Sequence, residues 1–268
     1  DSEGDAGIQE EYYDEEVVDD YASDESQSEV VTVSEVEVLD DAELGVLERM
    51  FGSIWLLLLV LGGGIAARVL WYWKQPALWL DEADLANEML GRSFRELVDP
   101  LDEQSAPVGF LLAAKGAVEA LGVSEIGLRF VPLVGTLLAL VFMAWAARRA
   151  VDPRSAIFAV AMLCVSWPVI RYAAEFKQYG MDVMASALMI GFGASLVTQG
   201  ITRGRLLLFG LCGGLVQWLS LPVLFTLAGV GLAVGIRALF SGDWKKGAGV
   251  LLVGIFWAGS FAGHYYVS

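Results

Sequence analysis

Seven apolar stretches, each long enough to cross a bilayer, constrain this chain more than any other feature. They cover roughly 52–73, 127–147, 155–172, 181–200, 205–220, 222–240 and 247–266. A helix of about 20 apolar residues spans the hydrocarbon core of a membrane. Hydrophobic residues make up 56% of the sequence, which excludes a soluble globular domain and a disordered chain. The predicted fold class is therefore all-α, a polytopic membrane protein.

The charged residues are divided unequally between two parts of the chain. Residues 1–48 contain 19 Asp and Glu and no Lys or Arg, whereas the remaining residues contain 14 acids and 17 bases. A segment this acidic argues against a nucleic-acid partner. We predict a mostly disordered tail over 1–48, followed by a membrane module over 49–268. The valine-rich stretch 29–39 is either a strand that adds to the sheet edge of a partner protein or a solvated linker.

Lysine and arginine residues in the short loops indicate the orientation in the membrane. Eight of them fall on one side if the segment 107–122 does not cross: Arg148, Arg149, Arg154, Arg203, Arg205, Arg237, Lys245 and Lys246. The opposite short loops hold only Arg171 and Lys177. We therefore predict seven crossings, a cytoplasmic N-terminal tail, and a helix over 107–122 in or near the outer interface.

The first outer loop, 74–126, contains three carboxylates within four residues: Asp81, Glu82 and Asp84. A helix over Leu78–Leu90 would lie on the membrane, with its leucines towards lipid and its acids towards a cavity. The alternative for this cluster is a solvated acidic helix.

A second polar cluster lies at the outer mouth between two spans. It consists of Arg171, Glu175, Lys177, Tyr179 and Asp182. Asp182 is followed at once by an apolar run, where a carboxylate needs a partner or access to water. It is either such a site or an N-cap of the helix. Arg171 and Lys177 are either ligands for a phosphate or ordinary interfacial side chains.

Four short motifs follow one another in the sequence. They are LDEA at 80–83, QSAPVGF at 104–110, EIGLRFVP at 125–132 and EFKQYGMD at 175–182. This series resembles the polytopic GT-C glycosyltransferases, in particular the family 39-like group related to protein mannosyltransferases and to the aminoarabinose transferase of lipid A. The resemblance covers about 79–190 well, and 50–268 in general layout.

The resemblance implies a transferase of the bacterial inner membrane. Such an enzyme moves a hexosyl or pentosyl group from a polyprenyl-phosphate donor to an acceptor hydroxyl outside the cytoplasm. The resemblance maps an essential acid to Asp81, with Glu82 beside it, and a second acid to Asp182, with Glu175 as its neighbour. Gln104 stands where some relatives carry an acid, and we include it among the substrate-binding candidates.

The leaving group of this reaction is a lipid phosphate, which gains negative charge as the glycosidic bond breaks. Arg171 and Lys177, with Glu175 and Tyr179 beside them, would bind the substrate, and the two cations or a divalent metal ion would stabilise the phosphate. Some relatives use a histidine near the position of His264 as a metal ligand, and an interfacial histidine is the alternative.

Arg129 stands four residues after Glu125 at the start of a span. We expect a structural ion pair for Arg129, and contact with the substrate is the alternative.

Two other functions stay open. Members of the family continue with further spans beyond the position of Ser268, so this chain is either a portion of such an enzyme or a reduced descendant. A reduced descendant could be a non-catalytic scaffold subunit that binds a protein partner through its acidic tail. Its small-residue faces, at Gly62–Gly64 and at Gly210, Gly213 and Gly214, would pack against neighbouring helices. A transporter would need broken helices with charges near the midplane.

Overall fold

The computed structural model describes residues 53–102 and 104–267. Within these ranges the chain forms ten α-helices, two short 3-10 helices and no β-strand. The α-helices are α1 (Ile54–Trp73), α2 (Leu80–Gly91), α3 (Val108–Leu121), α4 (Glu125–Ala150), α5 (Pro153–Val165), α6 (Trp167–Arg171), α7 (Tyr179–Gln199), α8 (Arg203–Val216), α9 (Val223–Leu239) and α10 (Trp244–Val267). The predicted tail over 1–48 and its valine-rich stretch lie outside the described residues.

Four of these helices are long and apolar enough to cross a membrane: α1, α4, α7 and α10. Helix α5 and the segment Trp167–Ala174 meet the same criterion together, although they are bent by 58° at the break between them. Four helices, or five spans with the bent pair, therefore make the chain an integral membrane protein by length and composition. The stretches 205–220 and 222–240 form helices α8 and α9 of only 14 and 17 residues, so seven crossings are not confirmed.

Local signals in the sequence explain where several of these helices begin and end. The side chains of Ser53, Ser124 and Asp152 accept hydrogen bonds from backbone N–H groups in the first turns of α1, α4 and α5, which satisfies donors that have no partner inside the helix. Gly122 ends α3, and Gly200 ends α7, with positive φ angles of 93° and 88°. Glycine is suited to both positions because it has no Cβ.

Helices α4 and α7 form the centre of the fold and are the two most deeply buried spans. They cross closely at Gly135 and Gly180, where a Cβ on either residue would overlap the backbone of the other helix. Helix α9 also packs on α7, where Gly193 meets Val230. This close packing fixes the start of α7, and the candidate site lies there.

The small-residue faces pack against helices of the same chain. Gly210, Gly213 and Gly214 of α8 lie against Val253, Trp257 and Phe256 of α10, and Gly64 lies against Cys164 of α5. A glycine face lets two helices approach closely in a membrane. These four glycines are therefore accounted for by contacts within the chain.

The helix predicted over Leu78–Leu90 forms as α2, Leu80–Gly91, but its apolar face does not turn towards lipid. Leu85 and Met89 are fully buried in one cluster with Phe110 and Leu111 of α3. The prediction that the leucines face lipid is wrong, because α3 offers an apolar face of its own that α2 covers. Helix α3 has 14 residues and is partly enclosed by this packing.

Candidate functional site

Three segments that are far apart in the sequence meet at Lys177. Its Nζ lies 3.4 Å from Asp81 Oδ2 and donates a hydrogen bond of 3.0 Å to Gln104 Oε1. The Lys177 side chain is only 9% exposed, whereas that of Asp81 is 56% exposed. We call Asp81, Gln104 and Lys177 the rim. One buried cation thus holds a carboxylate and an amide that the sequence analysis selected separately.

Behind the rim lies a buried ion pair between Glu82 and Arg129, which we call the hub. Each side chain is 1% exposed. Arg129 Nη2 lies 3.2 Å from Glu82 Oε2, and Arg129 Nε donates to Glu82 Oε1 at 3.3 Å. Two parallel donors match the two carboxylate oxygens, which is the geometry in which arginine binds a carboxylate most firmly.

The hub also binds the backbone of the segments around it. Glu82 accepts hydrogen bonds from the N–H groups of Trp79, at 3.0 Å, and Phe176. Arg129 donates to the carbonyl oxygen of Pro76. The hub therefore ties the start of α2 to α4 and to the residue that precedes Lys177. The expectation that Arg129 forms a structural ion pair is confirmed, but its partner is Glu82 and not the neighbouring Glu125.

A cleft of about 280 Å³ opens next to the hub. Its walls are Trp71, Pro76, Ala77, Trp79, Glu82, Arg129, Trp167, Arg171, Ala174 and Glu175. Arg171 lies 3.5 Å from Glu175 and keeps 44% of its side chain exposed. Burial raises the pKa of Glu175, Arg171 acts against this rise, and the charges of Glu82 and Asp81 add to it. The cleft thus presents one accessible cation beside carboxylates that share a confined space.

Two tyrosines connect this cleft with the start of α7. The rings of Tyr172 and Tyr179 lie 5.0 Å apart. Tyr179 lies within electrostatic range of Glu175, Asp81 and Asp182. Of the predicted site residues, Glu82, Arg171 and Glu175 line the cleft, and Asp81, Gln104 and Lys177 form the rim. Tyr179 and Asp182 lie in the first turn of α7.

Asp182 lies in the first turn of α7, whose N-cap residue is Gln178. The alternative that Asp182 is an N-cap is therefore wrong. Asp182 interacts with the hydroxyl of Ser220, but its Oδ1 atom is buried and has no hydrogen-bond partner among the described residues. The same holds for Oε1 of Gln178, one turn earlier. Buried acceptors of this kind call for a donor from water or from a ligand.

His264 lies near the end of α10 and packs against a tryptophan. It is buried, and its ring stacks on Trp218 with 5.2 Å between the centroids. No group of three or more His, Cys, Asp or Glu side chains within 53–102 and 104–267 is placed to hold a metal ion. A role for His264 as a metal ligand stays a prediction, and the described donor set does not fit a metal at the cleft.

Sequence reasoning missed two features of the site. The partner of Arg129 is Glu82, which is 47 residues away, and no local spacing indicates that pair. The other is Arg68, a charged residue inside the first apolar stretch, which is itself a signal because such residues are rare in spans.

Comparisons of this chain with protein-family models, with curated proteins and with solved structures gave no match. The resemblance to the GT-C glycosyltransferases therefore stays a prediction that rests on the four motifs. The function has to be inferred from the rim, the hub and the cleft.

Proposed function

We propose that this chain is a membrane glycosyltransferase of the GT-C type, which transfers a sugar from a polyprenyl-phosphate donor to an acceptor hydroxyl outside the cytoplasm. The observation that carries the proposal is the position of Asp81. This carboxylate is half-exposed, stands next to Glu82 of the cleft wall, and lies 3.4 Å from the buried Lys177. A carboxylate held in this way can accept a proton from a hydroxyl within hydrogen-bond reach.

The reaction replaces one bond at the anomeric carbon by another. The acceptor oxygen forms a bond to that carbon, and its proton passes to Asp81. The bond between the anomeric carbon and the phosphate oxygen breaks, and its electron pair stays on the phosphate. Lys177 is already engaged by Asp81 and Gln104, so its task is to orient the base.

Arg171 is the better candidate to bind the leaving phosphate. Its side chain is exposed on the wall of the cleft, and its one ion pair in the described structure is a 3.5 Å contact with Glu175. A guanidinium in such a place can stabilise the charge that develops on the phosphate as the bond breaks.

The sugar ring would lie near the start of α7. Oδ1 of Asp182 and Oε1 of Gln178 are acceptors without a partner among the described residues. Sugar hydroxyls supply the donors that such oxygens lack. We therefore assign Asp182 to substrate binding. Both carboxylate oxygens of Glu82 already accept hydrogen bonds, so we assign Glu82 to the support of Asp81.

For the membrane arrangement we propose seven crossings, with α8 and α9 as the two shorter ones and α3 in the outer interface. The proposal rests on the basic loops, which fall on one side under this count. It places the N-terminal tail in the cytoplasm of a bacterium and the cleft on the outer side of its inner membrane. No step of the mechanism runs through a metal ion, because the described side chains do not form a site for one.

The test is sugar transfer by the full chain in lipid nanodiscs, with a panel of hexosyl and pentosyl polyprenyl phosphates and a mixture of lipid and glycan acceptors. We expect turnover by the wild type and by Asp99→Asn, an exposed carboxylate outside the cleft, and its loss in Asp81→Asn. A folded wild type that transfers no sugar from any donor would contradict the proposal and leave the scaffold hypothesis.

A further inference from the structure

Arg68 is a fully buried arginine in the interior of α1, a helix most of whose other residues are not buried. Its Nη2 donates to the carbonyl oxygen of Leu163 at 2.9 Å, and its Nη1 donates to those of Cys164, at 3.3 Å, and Gly64, at 3.0 Å. Leu163 and Cys164 belong to the last turn of α5. One guanidinium thus binds two carbonyls at the end of a neighbouring helix.

These carbonyls need a donor because the chain breaks directly after them. In a continuous helix the carbonyl of Cys164 would accept from the N–H of residue 168, but Pro168 has none. Ser166 has extended backbone with a ψ angle of 105°, so the chain also turns away from Leu163. In a membrane, carbonyls at a helix end have to be satisfied within the protein. Arg68 supplies the donors that the break removes.

The segment beyond the break forms one side of the candidate site. Trp167 and Arg171 of α6 line the cleft. Trp167 packs edge to face on Trp71 of α1, with 4.8 Å between the ring centroids. The same run of chain continues to Phe176, which binds the hub, and to Lys177, which binds Asp81. The direction in which the chain leaves the break therefore sets the cleft wall and leads into the rim.

We propose that Arg68 is a positioning residue, which caps the broken end of α5 and thereby holds α6 at the angle that forms the cleft. The positively charged guanidinium suits this place, because a helix C-terminus carries partial negative charge. Gly64 contributes as well, since its lack of a side chain lets α1 approach Cys164. The capping role follows from the hydrogen bonds alone, whereas the part played in sugar transfer rests on the proposed function.

A double-mutant cycle between Arg68→Met and Pro168→Ala tests the cap. Arg68→Met leaves two buried carbonyls without donors, so we expect the thermal midpoint of the full chain in nanodiscs to fall by roughly 5–10 °C. Pro168→Ala restores an N–H group that Cys164 can use if the helix straightens. It should therefore recover part of this loss in the Arg68→Met background, while it stabilises nothing in the wild type. Equal effects of Pro168→Ala in both backgrounds would overturn the proposal.

Hydrogen exchange measured by mass spectrometry separates positioning from a general loss of stability. We expect faster exchange in peptides from 163–178 in Arg68→Met, with little change in the centres of α4 and α7. In the double variant, 164–168 should regain protection while Phe176 and Lys177 stay exposed to exchange. Arg237→Met is the matched control, since it removes an exposed arginine from the last turn of α9. A uniform increase of exchange over α4 and α7 would overturn the proposal.

The transfer assay then connects the cap with activity. Arg68→Met should lower turnover, and Pro168→Ala should restore stability in that background without restoring turnover, because a straight helix carries Trp167 and Arg171 away from the cleft. Recovery of both together would overturn the positioning role. A wild type without transfer activity would contradict the proposed function only, since the thermal cycle and the exchange pattern still decide the cap.

Discussion

Asp81 and Glu82 are adjacent in the sequence and lie in opposite surroundings. Glu82 in the hub is 1% exposed and is bound by Arg129 and by two backbone N–H groups. Asp81 in the rim is 56% exposed, and its ion pair is with one lysine. The difference teaches that the two carboxylates of this motif divide the work: the buried one fixes the backbone, and the exposed one is available for chemistry.

The physical reason is the cost of removing a charge from water. A buried carboxylate requires a full set of partners, so the loss of one partner leaves an uncompensated charge. An exposed ion pair is solvated and contributes little to stability. Stability and activity should therefore respond in opposite ways to changes at the two positions, and the following predictions test that contrast.

The largest effect on stability is expected from the hub. Arg129→Met leaves the charge of Glu82 buried without its cation, so we expect the free energy of unfolding to fall by about 3–5 kcal/mol. Unfolding in nanodiscs or mild detergent, followed by heat or denaturant, measures this loss. A matched control is the double variant Glu82→Leu with Arg129→Met, which removes both charges and should recover much of the stability.

A double variant as unstable as Arg129→Met alone would contradict this account. It would show that the backbone hydrogen bonds to Pro76, Trp79 and Phe176 matter more than the balance of charge in the hub. The stability of the hub would then come from its backbone hydrogen bonds and not from the pairing of its two charges.

Asp81→Asn should show the reverse pattern. Loss of the proposed general base should reduce turnover by about 10²- to 10⁴-fold. Stability should fall by less than in Arg129→Met, because the amide oxygen of Asn can still accept a hydrogen bond from the buried Lys177, and Gln104 remains a partner of that lysine. Transfer kinetics and unfolding are to be measured on the same preparation. A loss of stability comparable to that of Arg129→Met, with turnover retained, would place Asp81 among the supporting residues.

Arg171→Met should have a smaller effect, mainly on the use of the donor. Arg171 is half-exposed, so its attraction for the phosphate is partly screened, and we expect a drop in kcat/KM of about tenfold. The effect should shrink as salt is raised, because screening already weakens the wild-type contact. Arg95→Met, an exposed arginine away from the cleft lining, is the control. An equal drop in that variant would contradict a specific role for Arg171.

Much of the helical layout could be predicted because apolar length is a local property of the sequence. The stretch 155–172 was the exception, since it forms two helices with a bend. The sequence contains Pro132 and Pro168 in two similar apolar stretches, yet α4 continues through Pro132 while the chain breaks near Pro168. The carbonyls at the second break are satisfied by Arg68, about 95 residues earlier, and no local pattern reveals such a partner.

The candidate site, too, could be predicted from the sequence only in part. The acids and cations of the rim and the cleft could be selected from their types and from the order of the four motifs. Their pairing could not, because Glu125 is close to Arg129 in the sequence while the observed partner Glu82 comes from another helix. Which of two adjacent carboxylates becomes buried depends on how α2 packs on α3, and this is decided by the tertiary fold.

The smallest effect is expected from Glu175, whose side chain is more exposed than that of Glu82 and less exposed than that of Asp81. Burial raises the pKa of its carboxyl group in the folded chain, so the folded state binds the proton more tightly than the unfolded state. This contribution to stability is present below the usual carboxyl pKa and is lost as pH rises through the raised value. Glu175→Gln lacks this contribution, so the stability of the variant relative to the wild type should increase from about pH 4 to about pH 7.

Thermal midpoints of both proteins across this pH range measure the difference. Glu119→Gln, which changes an exposed carboxylate on α3, should show no such change with pH. A relative stability of Glu175→Gln that falls with rising pH would mean that the charge of Arg171 outweighs burial, and Glu175 would then act as a stabilising ion-paired carboxylate.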